Sequence, residues 1–354
     1  MICIRNCKRS FSILLTQKEG QMFDIRNLIK RNKKIRKCAR RIREYFLKYK
    51  IFKIITLKAY WNTARRLSYK DDYSFAKYSY KYVTGKELDL INPMTFDEKL
   101  WWLKLNNRDP LTTKCTDKYL VRDYVREVGL DHILIPLYGV YNNFEEIDFS
   151  KLPERCFIKC NHTSGCNAAY FKNLFFDYDY FRRRFSYVLK HNHYTLSREW
   201  NYKNIKPKII VEENISKQDD ISLPDYRFLC FKGEPKLLMI DINTCKKDGT
   251  IGNARRNLYD MDFNLINFTF SKPHFSPNLI NKPINFYKMI EYAKILCKEF
   301  PFCRIDLYNV NGQIYFGEIT FYHAGGYNNI EPIEWDLRLG NWIDIRKING
   351  INYG

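Results

Sequence analysis

Alternating apolar and polar positions are clearest between residues 303 and 320, where they predict a β-hairpin that turns near Asn311 and Gly312. The first strand is expected to keep one polar set on a single face: Arg304, Asp306 and Tyr308. The second strand is expected to align a mixed set: Ile314, Phe316, Glu318 and Thr320. The hairpin therefore carries acidic groups among apolar ones, and the presence of these carboxylates calls for a structural or functional explanation.

The length of the turn decides whether Asp306 and Glu318 meet. A two-residue loop at Asn311 and Gly312 pairs Glu318 with an apolar residue and separates the acids. A three-residue loop that begins at Val310 places them diagonally on one face, roughly 7 to 8 Å apart. Carboxylates in that arrangement would suit Mg²⁺, which prefers oxygen ligands and phosphate partners. An exposed face with ordinary charges is the alternative.

From residue 71 onward the pattern alternates between helices and strands, which predicts mixed α and β layers of the α+β class. Thr95 and Glu98 form a capping-box pattern at the start of one helix. The helices are predicted from residues 95 to 105, 109 to 129, 177 to 190 and 286 to 300. The other strands are predicted at residues 133 to 140, 156 to 160, 208 to 213, 226 to 231 and 236 to 242.

The composition predicts a folded chain of the size of an enzyme, with a basic extension at its N-terminus. The 354 residues are 45% hydrophobic and 16% aromatic, enough for a sizeable core. Residues 1–70 contain 21 Lys and Arg against 3 Asp and Glu, so they carry +18 of the net charge of +21. The basic amphipathic stretch 26–66 suits an anionic membrane surface or a polyanion, or else forms a solvated helix on the protein's own body. Nucleic acid is disfavoured, because no helix-turn-helix, RNP or zinc-finger pattern is present.

Apolar runs are too short to cross a bilayer, which takes about 20 residues, and no signal-peptide cleavage site is evident. We therefore expect a cytoplasmic protein, peripheral to the inner membrane face if the extension binds lipid. The 11 cysteines show no C-x-x-C or zinc spacing, which favours reduced thiols. Both Met1 and Met22 are candidate starts.

A candidate phosphate site follows the strand at residues 156 to 160. Lys159 leaves this strand directly before a small polar loop that contains Ser164 and Gly165. Backbone donors of such a loop can hold phosphate oxygens while a lysine supplies positive charge. An ordinary turn is the alternative, and His162 in the loop is interpreted as a structural residue.

A candidate adenine site lies at the acidic end of the strand at residues 208 to 213. Glu212 and the backbone of Ile215 could face an adenine, with Asp219 within reach of a ribose. The alternative is an ordinary solvent-facing strand end. Further along, Arg227 alternates away from the apolar face of its strand.

The order of these pieces resembles the ATP-grasp superfamily, and more closely the TupA-like ATP-grasp family linked to cell-surface polysaccharide biosynthesis. The resemblance covers about residues 90 to 345. Its matching stretches are Met94 to Lys104, Thr116 to Tyr119, Ile158 to His162, Arg198 to Trp200, Leu223 to Arg227, Arg304 to Tyr308 and Phe316 to Tyr322.

The resemblance implies an ATP-grasp fold in which two α+β subdomains clamp a nucleotide. After the basic extension (1–70), the expected parts are a helical or mixed subdomain (71–150), a lid (151–216) and a catalytic subdomain (217–354). The implied nucleotide ligands are Lys118, Lys159, Ser164, Gly165, Glu212, Ile215, Asp219 and Arg227. Arg304 and Lys159 are implied to act on the γ-phosphate, and the implied Mg²⁺ ligands are Asp306, Glu318 and Thr320.

Some positions depart from the pattern of the family. Thr320 stands where the wider superfamily usually has Asn. Relatives also tend to carry more glycine in the small loop and a proline after the aromatic pair, where this chain has Thr163, Cys166 and His323. These departures are expected to weaken or alter the site.

The function that the resemblance implies is an ATP-dependent carboxylate-amine ligase of surface or capsular polysaccharide biosynthesis, acting through an acyl phosphate. The cofactors would be ATP and Mg²⁺, and the partner a small or lipid-linked sugar. A glycosyltransferase that uses a metal-bound nucleotide sugar is the alternative. The aromatic residues Tyr322, Tyr327 and Trp335 would either stack on the sugar or belong to the core.

Overall fold

The computed structural model describes residues 71–216, 223–246, 249, 252–345, 347–348 and 351–352, together with Ile55. From residue 71 onward they belong to one compact unit, Thr63–Gly354. The predicted basic extension and Asp219 lie outside the described residues, so they stay predictions.

The described α-helices are α1 (Asp72–Thr84), α2 (Phe96–Asn106), α3 (Pro110–Thr116), α4 (Val121–Glu127), α5 (Tyr178–Leu189), α6 (Tyr194–Ser197), α7 (Phe286–Cys297) and α8 (Ile333–Trp342). The described strands are β1 (Leu137–Tyr141), β2 (Arg155–Cys160), β3 (Asn167–Phe171), β4 (Ile209–Glu213), β5 (Asp225–Phe231), β6 (Glu234–Ile242), β7 (Arg255–Tyr259), β8 (Leu265–Ile266), β9 (Thr269–Phe270), β10 (Phe302–Val310), β11 (Gln313–Thr320), β12 (Ile330–Glu331), β13 (Lys347–Ile348) and β14 (Ile351–Asn352).

Two antiparallel sheets organise these elements and confirm the predicted α+β class. The small sheet has the order β1-β4-β2-β3, and the large sheet has the order β11-β10-β5-β6-β7-β8. Helix α7 packs on β5, β6 and β10 of the large sheet and buries Phe286, Met289 and Leu296 there. Helix α5 packs on β2 of the small sheet through its apolar stripe.

Most predicted elements are present, with one helix and one strand changed. Thr95 and Glu98 form the predicted capping box of α2. The strand predicted from residue 133 begins only at Leu137, because Asp131–Ile133 form a 3₁₀ turn.

The helix predicted from residue 109 to 129 is two helices, α3 and α4, interrupted at Asp117. The Asp117 carboxylate accepts hydrogen bonds from the backbone N–H of Tyr119 at 2.8 Å and from the side-chain amide of Asn161 at 2.9 Å. A side chain that bonds local backbone N–H groups competes with the helical ladder. The interruption leaves Lys118 outside both helices, beside the small loop.

The β10–β11 hairpin has a two-residue loop, Asn311 and Gly312, whose φ angles are 54° and 84°. Positive φ at both positions is the type I′ geometry that joins two twisted strands. Of the two loop lengths that the sequence allows, the two-residue loop is therefore the one present. In a regular hairpin, this two-residue loop would place Asp306 and Glu318 on opposite faces.

A β-bulge reverses that separation. The register shifts between Asp306 and Leu307, so that Gly317 has no partner and Asp306 lies directly opposite Glu318. A Cβ atom at Gly317 would stand 2.9 Å from the carbonyl oxygen of Asp306. The bulge thus needs a glycine, and it turns Glu318 to the face that Asp306 occupies.

The bulge also corrects the predicted alignment of the second strand. Ile314 and Phe316 are buried in the core, whereas Glu318 and Thr320 lie on the opposite face with Asp306. The expectation that all four share one face is wrong, because an extra residue shifts the alternation by one position.

Candidate active site

The acid pair of the hairpin is held by Arg304, two residues before Asp306 on the same face of β10. The guanidinium of Arg304 donates to both Asp306 oxygens at 2.6 and 2.7 Å, and its Nη2 also donates to Glu318 Oε1 at 2.8 Å. The Thr320 hydroxyl donates to the same Glu318 oxygen at 3.1 Å. The structure therefore brings together four of the predicted catalytic and metal-binding residues.

The two carboxyl groups differ in acidity although they are direct neighbours. Burial raises the pKa of Asp306 to about 6, against the opposing effect of the arginines Arg304 and Arg227. Burial also acts on Glu318, but Lys118 and the two arginines outweigh it and lower the pKa of Glu318 to about 2. One acid is thus fully charged at neutral pH, while the other titrates near it.

Lys118 connects this acid pair to the small loop after β2. Its ammonium lies 3.8 Å from Glu318 Oε2 and donates to the carbonyl oxygen of Thr163 at 2.9 Å. Burial and the charge of Lys159 lower the pKa of Lys118, against the effect of Glu318. The two predicted phosphate lysines therefore act on one another electrostatically.

Lys159 and Glu212, predicted to hold opposite ends of the nucleotide, form an ion pair on the small sheet. The Lys159 ammonium lies 2.6 Å from Glu212 Oε2, and the Arg122 guanidinium lies 3.3 Å from Glu212 Oε1. Their strands, β2 and β4, are neighbours in the sheet. One carboxylate thus compensates two cations, of which Arg122 was not predicted from the sequence.

Arg227 lies on β5, opposite Asp306 on the neighbouring strand β10. It donates to Asp241 at 2.6 Å and to Asp225 at 2.9 Å, and its Nε lies 3.4 Å from Asp306 Oδ2. Among the residues that the structure describes, none forms a hydrogen bond with that Nε. The predicted arginine therefore faces the acid pair from the adjacent strand.

The small loop is closed by its own backbone and by Arg184. The backbone N–H of Cys160 donates to the carbonyl of Cys166 at 3.1 Å, and Arg184 donates to the carbonyl of Gly165. Ser164 is exposed at the tip of the loop. His162, interpreted as structural, is buried with its ring nitrogen 3.3 Å from the Val188 carbonyl oxygen.

Ile215, the other predicted adenine contact, is half-buried two residues beyond β4. It follows Glu213 and Asn214, whose backbone N–H groups donate to the carbonyls of Pro136 and Arg155. The strand end is therefore tied to the small sheet on both sides.

Sequence reasoning missed a buried ionic group behind the hairpin. Arg256 donates to both oxygens of Asp241 at 2.6 and 2.8 Å, and Lys272 donates to Asp241 at 2.6 Å. His323, noted only as a departure from the family pattern, lies 2.8 Å from Arg304 Nη1 and 3.2 Å from Arg256 Nη1. Burial and these arginines hold the pKa of His323 well below its usual range, so its ring is neutral.

The three aromatic residues proposed for sugar stacking contact other protein groups. Tyr322 is buried and its hydroxyl lies 3.5 Å from the Leu103 carbonyl oxygen, while Trp335 stacks on Phe268 at 4.3 Å. Tyr327 meets the Trp101 ring edge to face at 5.4 Å. These contacts favour the alternative that the aromatics belong to the core.

The donor chemistry of the hairpin fits a Mg²⁺ ion. Asp306 and Glu318 are direct strand partners whose carboxylates meet at the Arg304 guanidinium, and Mg²⁺ is commonly held by one or two carboxylates together with phosphate oxygens and water. Within the described residues no cluster of three or more His, Cys, Asp or Glu could hold a metal by itself. The ion would therefore need the oxygens of a bound phosphate.

Residues 98–344 match the family model described as TupA-like ATPgrasp. None of the curated proteins compared with the chain matches it. Among solved structures, a D-alanine–D-alanine ligase from Bacillus anthracis in complex with ATP is 14% identical with a TM-score of 0.30, and the match covers 59% of this chain and 54% of that one. The corresponding ligase from Helicobacter pylori is 14% identical with a TM-score of 0.36 and coverages of 70% and 69%. D-cycloserine synthetase DcsG is 12% identical with a TM-score of 0.38 and coverages of 66% and 70%.

Proposed function

The chain belongs to the TupA-like ATP-grasp family, and from this premise we propose that it is an ATP-dependent ligase that joins a carboxylate to an amine. The predicted family and its ATP-grasp fold are confirmed by the match over residues 98–344. The chain spans only about half of the length of the B. anthracis ligase, so its activity and substrates are proposals that rest on its own residues.

One observation carries the proposal: two acids on neighbouring strands share Arg304, and Lys118, which also binds the small loop, lies near one of these acids. Asp306 and Glu318 are direct strand partners, and the Lys118 ammonium lies 3.8 Å from Glu318. Side chains of both signs around one position suit a metal-bound triphosphate, in which cations and anions alternate.

The chemistry follows from charge compensation. A substrate carboxylate is repelled by the γ-phosphate of ATP, so attack requires cationic groups that lower the repulsion in the transition state. Lys118, Lys159, Arg227 and Arg304 are the cations proposed to do so, and Asp306 and Glu318 would hold Mg²⁺. When bound, Mg²⁺ would shield the phosphate oxygens. The products of this step are an acyl phosphate and ADP, and an amine then converts the acyl phosphate to an amide with release of phosphate.

The proposed setting is the synthesis of surface or capsular polysaccharide, with a sugar or lipid-linked sugar as the substrate. The resemblance of the family and the basic composition of residues 26–66 support this setting, because lipid-linked glycans are assembled at an anionic membrane surface. No helix of the described residues is long and apolar enough to span a membrane. The proposed membrane contact is made through residues 26–66.

The test is an incubation of the full chain with Mg²⁺-ATP, sugar uronates or amino acids as carboxylates, and candidate amines. Release of ADP and phosphate that depends on both substrates supports the ligase. Release of UDP from a nucleotide sugar without ATP consumption would instead support a glycosyltransferase. Asp306→Asn should slow the ATP-dependent reaction about 10²–10³-fold while the melting temperature without nucleotide stays within a few degrees of the parent.

A further inference from the structure

A second group of charged residues lies close to the acid pair, centred on Glu199 of the Arg198 to Trp200 stretch. The relative solvent exposure of Glu199 is 7%, so this residue is more than nine-tenths buried. Its Oε1 lies 3.9 Å from His193 Nε2, and a Cβ atom at Gly325 would stand 3.8 Å from the same oxygen. The function argued above uses none of these residues.

A chain of short contacts joins this carboxylate to the proposed phosphate position. His193 Nδ1 lies 3.3 Å from the Thr163 hydroxyl, and the Thr163 carbonyl accepts the hydrogen bond from Lys118 that was described above. Lys118 in turn faces Glu318 at 3.8 Å. Glu199 therefore borders the small loop on one side and the segment that follows β11 on the other.

Lys104 is the cation that acts on Glu199 electrostatically. It is buried, its ammonium donates to the Gly325 carbonyl at 2.8 Å, and it lies 3.3 Å from the centre of the Trp101 ring. Burial lowers the pKa of Lys104 to about 7 and raises the pKa of Glu199 to about 7. Burial and the neighbouring lysines also lower the pKa of His193 to about 3, so its ring is neutral.

We propose that Glu199, with His193 beside it, is the subsite that binds the ammonium group of the acceptor amine and removes its proton. This inference rests on the ligase function proposed above. A carboxylate attracts an ammonium and repels phosphate, so this subsite separates the amine from the nucleotide. A base whose pKa lies near the working pH is the most effective proton acceptor.

The proton balance is complete without another reactant. The ammonium gives one proton to Glu199, and the free lone pair of the amine then forms a bond to the acyl carbon. The bond between that carbon and the phosphate oxygen breaks, and phosphate leaves with the electron pair. The second nitrogen proton leaves with phosphate as hydrogen phosphate, and Glu199 returns its proton to solvent.

A purely structural Glu199–Lys104 pair is the competing explanation, and amine binding distinguishes the two. The probe is methylammonium chloride, compared at equal ionic strength with tetramethylammonium chloride, which has no N–H group. We expect methylammonium to raise the melting temperature of the full chain by about 2 °C more than tetramethylammonium. Glu199→Gln should lose this difference, whereas the exposed control Glu234→Gln should keep it.

The second part of the test compares reaction rates with two nucleophiles. Hydroxylamine is unprotonated at pH 7 and needs no base, unlike an alkyl amine. Glu199→Gln should therefore form hydroxamate at a rate within about twofold of the parent, while amide formation with the alkyl amine falls at least about 100-fold.

Two outcomes overturn the proposal: an equal loss of hydroxamate and amide, or an equal response of parent and Glu199→Gln to methylammonium. A parent that releases no ADP with any carboxylate and either nucleophile would instead refute the ligase function. The methylammonium comparison then still decides whether Glu199 binds an ammonium group.

Discussion

The hairpin of the large sheet and the β2–β4 pair of the small sheet balance their charges in opposite ways. On the hairpin, one guanidinium, Arg304, is shared by two carboxylates, Asp306 and Glu318. On the small sheet, one carboxylate, Glu212, is shared by Lys159 and Arg122. Within these two groups, carboxylates outnumber the shared cation on the hairpin and cations outnumber the shared carboxylate on the small sheet, while Lys118 and Arg227 also face the hairpin acids. The comparison teaches that the candidate site has two halves of opposite character.

The largest loss of stability is expected when the shared carboxylate of the small sheet, Glu212, is removed. Glu212→Ala leaves Lys159 and Arg122 without their common counter-charge, and breaking a buried ion pair from one side costs about 3–5 kcal/mol. Urea unfolding of the variant and the parent measures the loss. Glu213→Ala, at the half-buried end of the same strand, is the control. Equal stability of both variants would mean that the two cations need no shared partner.

The next largest effect is a loss of ATP-dependent activity when Asp306, an acid of the hairpin, loses its charge. Asp306→Asn keeps the shape of the side chain but removes its charge, so ATP-dependent activity should fall about 10²–10³-fold, as for other single electrostatic contacts in a transition state. Stabilisation by Mg²⁺ with nucleotide, measured by thermal shift, should disappear. Asp262→Asn, on an exposed turn, is the matched control. A Mg²⁺-dependent shift that survives in Asp306→Asn contradicts the assignment of the metal site.

Gly317→Ala tests the bulge that places Asp306 directly opposite Glu318. The added methyl group would meet the Asp306 carbonyl oxygen at 2.9 Å and a Tyr308 ring carbon at 3.1 Å. We expect a loss of about 1–3 kcal/mol in the free energy of unfolding and a larger relative loss of nucleotide binding, because the acids move apart.

Gly312→Asn is the control for Gly317→Ala, since asparagine tolerates the left-handed backbone of that turn. Unchanged nucleotide binding in Gly317→Ala would show that the bulge does not position the acids.

The smallest effect is a pH dependence that distinguishes Asp306 from Glu318. The pKa of Asp306 is about 6 in the folded protein and near 3.8 in the unfolded chain, so the folded state holds its proton more tightly. Its contribution to stability is therefore present below pH 3.8 and is lost as the pH rises through 6, by at most about 1.4 kcal/mol per pH unit. Asp306→Asn should remove this slope from urea titrations between pH 4 and 7, whereas Glu318→Gln should keep a smaller slope, because the charge of Glu318 contributes to the raised pKa of Asp306.

Much of the fold follows from local patterns along the chain. The capping box at Thr95 and the turn residues Asn311 and Gly312 predict elements that are present, because their signals act within a few residues. The helix interrupted at Asp117 was predicted as continuous, because the Asn161 amide that holds its carboxylate is 44 residues away. Local reasoning fails where a distant partner decides the conformation.

The sequence by itself determined the class of the fold, the face that carries Asp306 and the types of residue that the family shares. Only the tertiary structure decided that Asp306 and Glu318 are direct partners, because a bulge at Gly317 adds one residue to one strand and shifts the alternation after it. It also decided that Glu199 and Lys104 lie beside Gly325. Alternation and capping are interactions between near neighbours, whereas strand register and buried charge compensation depend on segments that meet only in the folded chain.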